Sequence, residues 1–180
     1  MNSSLLEETT IARNIGISVP TVHRWINILE TSFVIFKLRP YLKGKISRIR
    51  KTPKVYFVDP ALSFHLMKIK QANLTKKDWG RLFENFVFLQ LSAMETAFGG
   101  ELYFWRNLGS TEREIDFVWE YKRRIIAIEA KFKDEIKMKD ISNLVYFCEN
   151  SDCEAGFVVY TGNRIFKLLK NIWAIPVWEI

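Results

Sequence analysis

Apolar positions along this chain change their spacing several times, and each change predicts a different element. Ile11 and Ala12 lie in a short helical run that stops at Asn14 to Gly16, where glycine can take the positive φ of a tight turn. Ser18 then offers an N-cap and Pro20 fits a first helical turn, while Val22, Ile26, Leu29 and Phe33 recur at helical spacing. FVIF and VYFV read as two strands on either side of KLRPYLKGKISRIRKTPK, and a turn at Asp59 and Pro60 leads into a short helix. QANLTKKD is polar and aperiodic, which predicts a linker over residues 71–78 between a module at 1–70 and a domain at 79–180.

The domain opens at Trp79 on WGRLFENFVFLQLSAMETAF, where Leu82, Phe83, Phe86, Val87, Leu91 and Met94 mark a broad apolar face with Glu84 among them. Three strands follow (ELYFWRN, REIDFVWEY, RRIIAIEAKF), then a helix (MKDISNLVYFCEN), a strand (EAGFVVYTG) and a last strand (NIWAIPVWEI), whose Pro176 suggests a sheet edge. The order is α-β-β-β-α-β-β, an α/β (α+β) mixed sheet flanked by helices.

Charge changes the reading of the first module. The chain carries a formal +7, and between Thr31 and Val58 there are eight Lys or Arg residues and no Asp or Glu. The remainder holds 19 basic against 20 acidic residues, so the excess lies in one stretch, and Lys54 is counted within it. Helix, glycine turn, capped helix and basic hairpin is the order of a winged helix-turn-helix. On that geometry Thr21, His23 and Arg24 face a groove of DNA, and Lys43, Lys45, Arg48, Arg50 and Lys51 meet phosphates. A solvated hairpin, or a module that binds protein, stays open as the alternative. Only MNSSLLEE precedes the helical pair, so the first helix of such a module is expected to be missing, its apolar face covered by another chain or by residues lost from the N-terminus.

Other classes are set aside. No window approaches the ~18 apolar residues of a membrane span, and the start lacks a signal-peptide pattern, so a cytoplasmic protein without a membrane partner is expected. Cys148 and Cys153, with His23 and His65 far apart, suggest neither a zinc set nor a disulfide framework but two ordinary thiols.

The strands around 114–132 carry the chemistry. Glu129 and Lys131, two apart, share one face, and Asp116 reaches that face from across the hairpin. Glu84 of the leading helix adds a third carboxylate. Buried unpaired charges cost several kcal/mol, so the cluster calls for a partner. Mg²⁺ or Mn²⁺ held by Asp116 and Glu129, and through water by Glu84, supplies one; Lys131 then orients a water and stabilises a phosphate in flight. The alternative is an ion-pair network that staples the fold.

At Glu84, Ile115-Asp116 and Glu129-Ala130-Lys131 the chain resembles the PD-(D/E)xK nuclease superfamily, which includes restriction endonucleases and archaeal Holliday-junction resolvases. The whole chain resembles the C-terminal region of archaeal and bacterial AAA-type ATPases, through PKVYFVDPAL, GRLFENFV, YFWRN, EIDFVW and IEAK in that order. The resemblance implies a restriction-endonuclease-like core, metal-binding roles for Glu84, Asp116 and Glu129, a catalytic role for Lys131 and an accessory role for Glu114. The chain has no G-x-x-x-x-G-K-[ST] loop, so ATP hydrolysis is not expected of it. Two functions remain in view: a Mg²⁺-dependent DNA endonuclease acting on duplex or branched DNA, and a non-catalytic DNA-binding or assembly module. A homodimer or an ATPase domain is the expected protein partner.

Overall fold

A computed structural model describes residues 3–42, 52–66, 68, 73–107 and 111–180. The N-terminal part contains β1 (Ser4–Leu5), α1 (Glu8–Ile15), α2 (Val19–Thr31), β2 (Ile35–Leu38), β3 (Lys54–Phe57) and α3 (Pro60–Leu66). The second contains α4 (Lys76–Phe98), β4 (Glu101–Asn107), β5 (Arg113–Tyr121), β6 (Arg124–Lys131), α5 (Ser142–Asn150), β7 (Cys153–Tyr160), β8 (Phe166–Leu169) and β9 (Ile172–Pro176). The result is a mixed α+β structure.

Local chemistry sets the helix ends. Gly16 closes α1 with φ 73°, its N–H donating to the Ala12 carbonyl, and Ser18 caps α2 by accepting from the Thr21 N–H. Val22 and Ile26 of α2 are buried, but Leu29 is 38% and Phe33 72% exposed. Phe33 lies past the end of α2 in a positive-φ conformation (55°), so the helix ends two residues short of the last position at helical spacing. The start of α4 is also earlier than Trp79. Thr75 and Asp78 form a reciprocal capping box that begins the helix at Lys76, inside the polar stretch read as a linker.

Strands β1, β3 and β2 form a small antiparallel sheet in that order. The larger sheet has six strands in the order β4-β5-β6-β7-β9-β8, antiparallel through β4, β5 and β6, parallel from β6 to β7 to β9, and antiparallel at β8. The pattern did not separate out β8, and it is β8, not β9, that forms the edge. Pro176 is tolerated because it is the last residue of β9, where the ladder ends.

A small core of Leu6, Ala12, Val22, Ile26, Ile35 and Val55 holds the N-terminal helices on their sheet. A larger one is shared by both parts: Leu38 and Tyr56 pack with Phe83, Val87, Phe88, Phe104, Phe117 and Ile128. The Tyr56 ring stacks on Phe88 with centroids 4.2 Å apart. Phe86, expected on the buried face of α4, is 44% exposed, and Asn85 is buried in its stead. Asn85 has a specific reason to be there: its amide donates to the Phe57 carbonyl (2.8 Å) and accepts from the Phe57 N–H (2.9 Å), binding β3 to α4. Trp105, Ile115, Ala127, Leu144, Phe147 and Val158 fill the other side of the sheet beneath α5. Both cysteines are free thiols, and their sulfurs lie 2.8 Å apart between the end of α5 and the start of β7. No helix among the described residues is long and apolar enough to cross a membrane.

Candidate functional site

The β5–β6 hairpin closes at Tyr121 and Arg124, so Asp116 near the start of β5 and Glu129 near the end of β6 lie at its open end. Glu129 and Lys131 are two apart on β6 and therefore share a face; the Lys131 ammonium donates to Glu129 Oε2 at 2.6 Å. The other oxygen of Glu129, Oε1, is buried without a hydrogen-bond partner among the described residues. Asp116 Oδ2 accepts from the Ala130 N–H at 2.9 Å, which fixes the carboxylate against β6. Its Oδ1 is 3.8 Å from the ammonium of Lys54.

Lys54 is the residue that sequence reasoning misplaced. It belongs to the basic run by composition, yet it is only 2% exposed. Its ammonium sits 2.9 Å from Glu84 Oε1 and in close contact with Glu114, in addition to its approach to Asp116. Arg106 of β4 contacts the second oxygen of Glu114 at 3.2 Å, and the Tyr56 hydroxyl donates to Glu84 Oε1 at 2.8 Å. The usable signal was strand alternation: Lys54 and Tyr56 are two apart in KVYF and must share a face, and the tyrosine belongs to the core.

The four residues singled out on the sequence thus fall into two linked groups. Glu129 and Lys131 bond each other, and Glu84 is held by Lys54 and Tyr56, with Asp116 between them touching β6 through one oxygen and facing Lys54 with the other. Glu84 is therefore already neutralised by an ammonium, where a divalent ion had been expected to neutralise it. Among the described residues, no three His, Cys, Asp or Glu side chains are grouped so as to hold a metal ion. Mg²⁺ in phosphoryl-transfer sites is commonly held by one or two carboxylates and several waters or phosphates. Asp116 and Glu129 fit that smaller requirement, because both are hard oxygen donors and Glu129 Oε1 has no other partner among the described residues.

Burial dominates the protonation of the cluster. It pushes the Glu129 carboxyl up to about 8, aided by the charge of Asp116 and opposed by Lys131. It pushes Glu84 up to about 7 against the opposing charge of Lys54. For Lys54 and Lys131 burial acts downward, but the surrounding carboxylates outweigh it and raise both. Since Glu84 and Glu129 titrate above their ordinary 4.5, the folded protein retains protons that the unfolded chain has already released. The stability these protons carry is present at the acid side of that interval and is lost as pH rises through 7 and 8. Thermal unfolding at about pH 5.5 and about pH 9 should show a fall in midpoint that is smaller in Glu129→Gln than in wild type. Identical pH slopes in the two proteins would remove Glu129 from this account.

Of the residues expected to meet DNA, Thr21 is bound to the Ser18 hydroxyl at 2.8 Å, while His23 and Arg24 are exposed on α2. His23 Nδ1 lies 3.1 Å from a Glu8 carboxylate oxygen, an acidic neighbour the sequence reading had not paired with it. Lys43, Lys45, Arg48, Arg50 and Lys51 lie outside the described residues.

Fold and site together define a mixed α+β domain with a buried carboxylate and lysine cluster at the open end of its central hairpin. The chain belongs to the family described as a domain of unknown function (DUF4143), whose profile matches residues 79–180. A second profile, also described as a domain of unknown function (DUF8612), matches residues 1–73. Uncharacterized proteins of Mycobacterium tuberculosis and Mycobacterium bovis are each 26% identical over 183 residues, covering 99% of this chain and 40% of the relative. An uncharacterized protein of Haemophilus influenzae is 23% identical over 152 residues, covering 83% of this chain and 34% of the relative. The chain therefore spans well under half the length of these curated relatives.

Proposed function

We propose that this chain is a DNA-binding, PD-(D/E)xK nuclease-like module, the C-terminal part of an AAA-type ATPase, with a winged helix-turn-helix at its N-terminus and a restriction-endonuclease-like core after it. The observation that carries this reading is Glu129 Oε1, without a partner among the described residues and buried at the open end of the hairpin that also presents Asp116 and Lys131. A buried polar atom left unsatisfied in a native fold calls for an explanation, and a bound cation is one. Asp116 and Glu129 would hold Mg²⁺ or Mn²⁺, and Glu84, bonded to Lys54, would act on it only through water. When bound, the ion supplies Lewis acidity and a water of lowered pKa. The protein's own residues do the rest: the Ala130 N–H fixes Asp116, and the Lys131 ammonium, held by Glu129, stabilises charge developing on a phosphate. Arg24 of α2 and the basic residues Lys43, Lys45, Arg48, Arg50 and Lys51 would supply the electrostatic attraction to duplex or branched DNA, with Thr21 and His23 of α2 facing its groove.

The test is a plasmid-nicking assay with Mg²⁺ or Mn²⁺, comparing wild type with Asp116→Asn and Lys131→Met. Nicking by wild type that falls at least about a hundredfold in both variants is the expected result. A second reading, a non-catalytic DNA-binding or assembly module, is favoured by Lys54, which already neutralises the carboxylates Glu84 and Glu114. That module binds duplex with steep salt dependence, loses the binding in Lys45→Glu/Arg48→Glu, and cuts nothing. Unchanged DNA affinity in the double variant would instead point to a protein partner, such as the ATPase domain or a second copy.

A further inference from the structure

We propose that the Lys54 ammonium is an internal cation that competes with a divalent metal ion for this site, so that loading the site requires Lys54 to withdraw. The inference rests on the reading of Asp116 and Glu129 as the residues that hold the ion.

The argument starts from the two oxygens of Asp116. Oδ2 already accepts from the Ala130 N–H, which leaves Oδ1 as the less engaged oxygen for a cation, and Oδ1 is the oxygen that faces Lys54 at 3.8 Å. That distance is long for a charge-assisted hydrogen bond, whose N···O separation is about 2.7–2.9 Å. Lys54 is instead bonded to Glu84 at 2.9 Å and to Glu114, and only approaches Asp116. Asp116 is thus the carboxylate that Lys54 neutralises without closing a bond to it. A divalent ion at Asp116 Oδ1 and a positive ammonium 3.8 Å from that same oxygen repel each other, in surroundings where water screens little.

Chain position makes the device specific. Lys54 comes from β3 of the N-terminal part, whereas Asp116 and Glu129 stand on β5 and β6 of the other part. Val55 and Tyr56 beside it are buried, so the strand itself is anchored, and withdrawal falls to the flexible four-carbon stem. The Phe104 ring, 5.5 Å from the ammonium, offers an aromatic face against which the charge rests. In this arrangement the metal affinity of the second part is set by a side chain of the first.

The experiment is a calorimetric Mn²⁺ titration of the whole chain, wild type beside Lys54→Met and Lys54→Arg, with free Mn²⁺ followed by electron paramagnetic resonance. Lys54→Met should bind Mn²⁺ about tenfold or more tightly than wild type, and Lys54→Arg, which keeps the charge, should stay near wild type. Because loss of a buried cation strains the fold, Lys54→Met/Glu114→Gln is measured too. It keeps the wild-type net charge but lacks the ammonium, and it should also bind more tightly than wild type. Equal affinity in wild type and both Met variants overturns the competition while leaving Asp116 and Glu129 as metal holders. Absence of Mn²⁺ binding in every protein overturns both.

Discussion

Lys54→Ala is expected to lower the unfolding free energy by about 3–5 kcal/mol, the cost of removing one partner from a buried ion-pair network. The side chain is 2% exposed and faces three carboxylates, so its loss leaves Glu84, Glu114 and Asp116 crowded without their common cation. Lys54→Met/Glu114→Gln should recover part of the loss, since replacing charged groups on both sides of a buried pair is far less costly than orphaning one. Urea unfolding of the three proteins checks this. A loss below about 1 kcal/mol in Lys54→Ala would mean that the ammonium behaves as a surface pair.

Asn85→Leu should cost about 2–4 kcal/mol, although leucine is close in size and suits the apolar surroundings. Asn85 is fully buried and answers both the N–H and the carbonyl of Phe57, so the substitution leaves two backbone groups without their partner. The bond pair lies between β3 and α4, and the shared core of Tyr56, Phe88 and Phe117 runs across the same boundary. Unfolding followed by tryptophan fluorescence and by far-ultraviolet circular dichroism should therefore give coincident transitions in wild type. A stable Asn85→Leu protein, or two separate transitions in wild type, would show that the two parts fold without each other.

What the sequence disclosed was what depends on neighbours a few residues apart. Ser18, Pro20 and Gly16 marked the ends of α1 and α2 because capping and positive φ are local properties. The Glu129 and Lys131 pairing followed from strand period alone, and the meeting with Asp116 from a short hairpin. Lys54 was illegible for a different reason. Composition placed it with Lys51 and its basic neighbours, whereas its partners Glu84 and Glu114 lie 30 and 60 positions away and meet it only when α4 and β5 pack on β3. Asn85 took the buried place expected of Phe86 because a hydrogen-bonding requirement of β3 outweighed hydrophobicity on that face of α4. Phe33 sits at helical spacing, but α2 has ended before it.

The cluster is either a place that takes a divalent ion or a closed network of ion pairs, and Asp116 is the carboxylate on which the two differ. A Mn²⁺ titration by calorimetry, wild type beside Asp116→Ala, separates them, with circular dichroism confirming that both are folded. Saturable binding to wild type that disappears in the variant is the result predicted here. Two folded proteins that both fail to bind Mn²⁺, or that bind it equally, would contradict the metal site and leave the cluster as a structural staple.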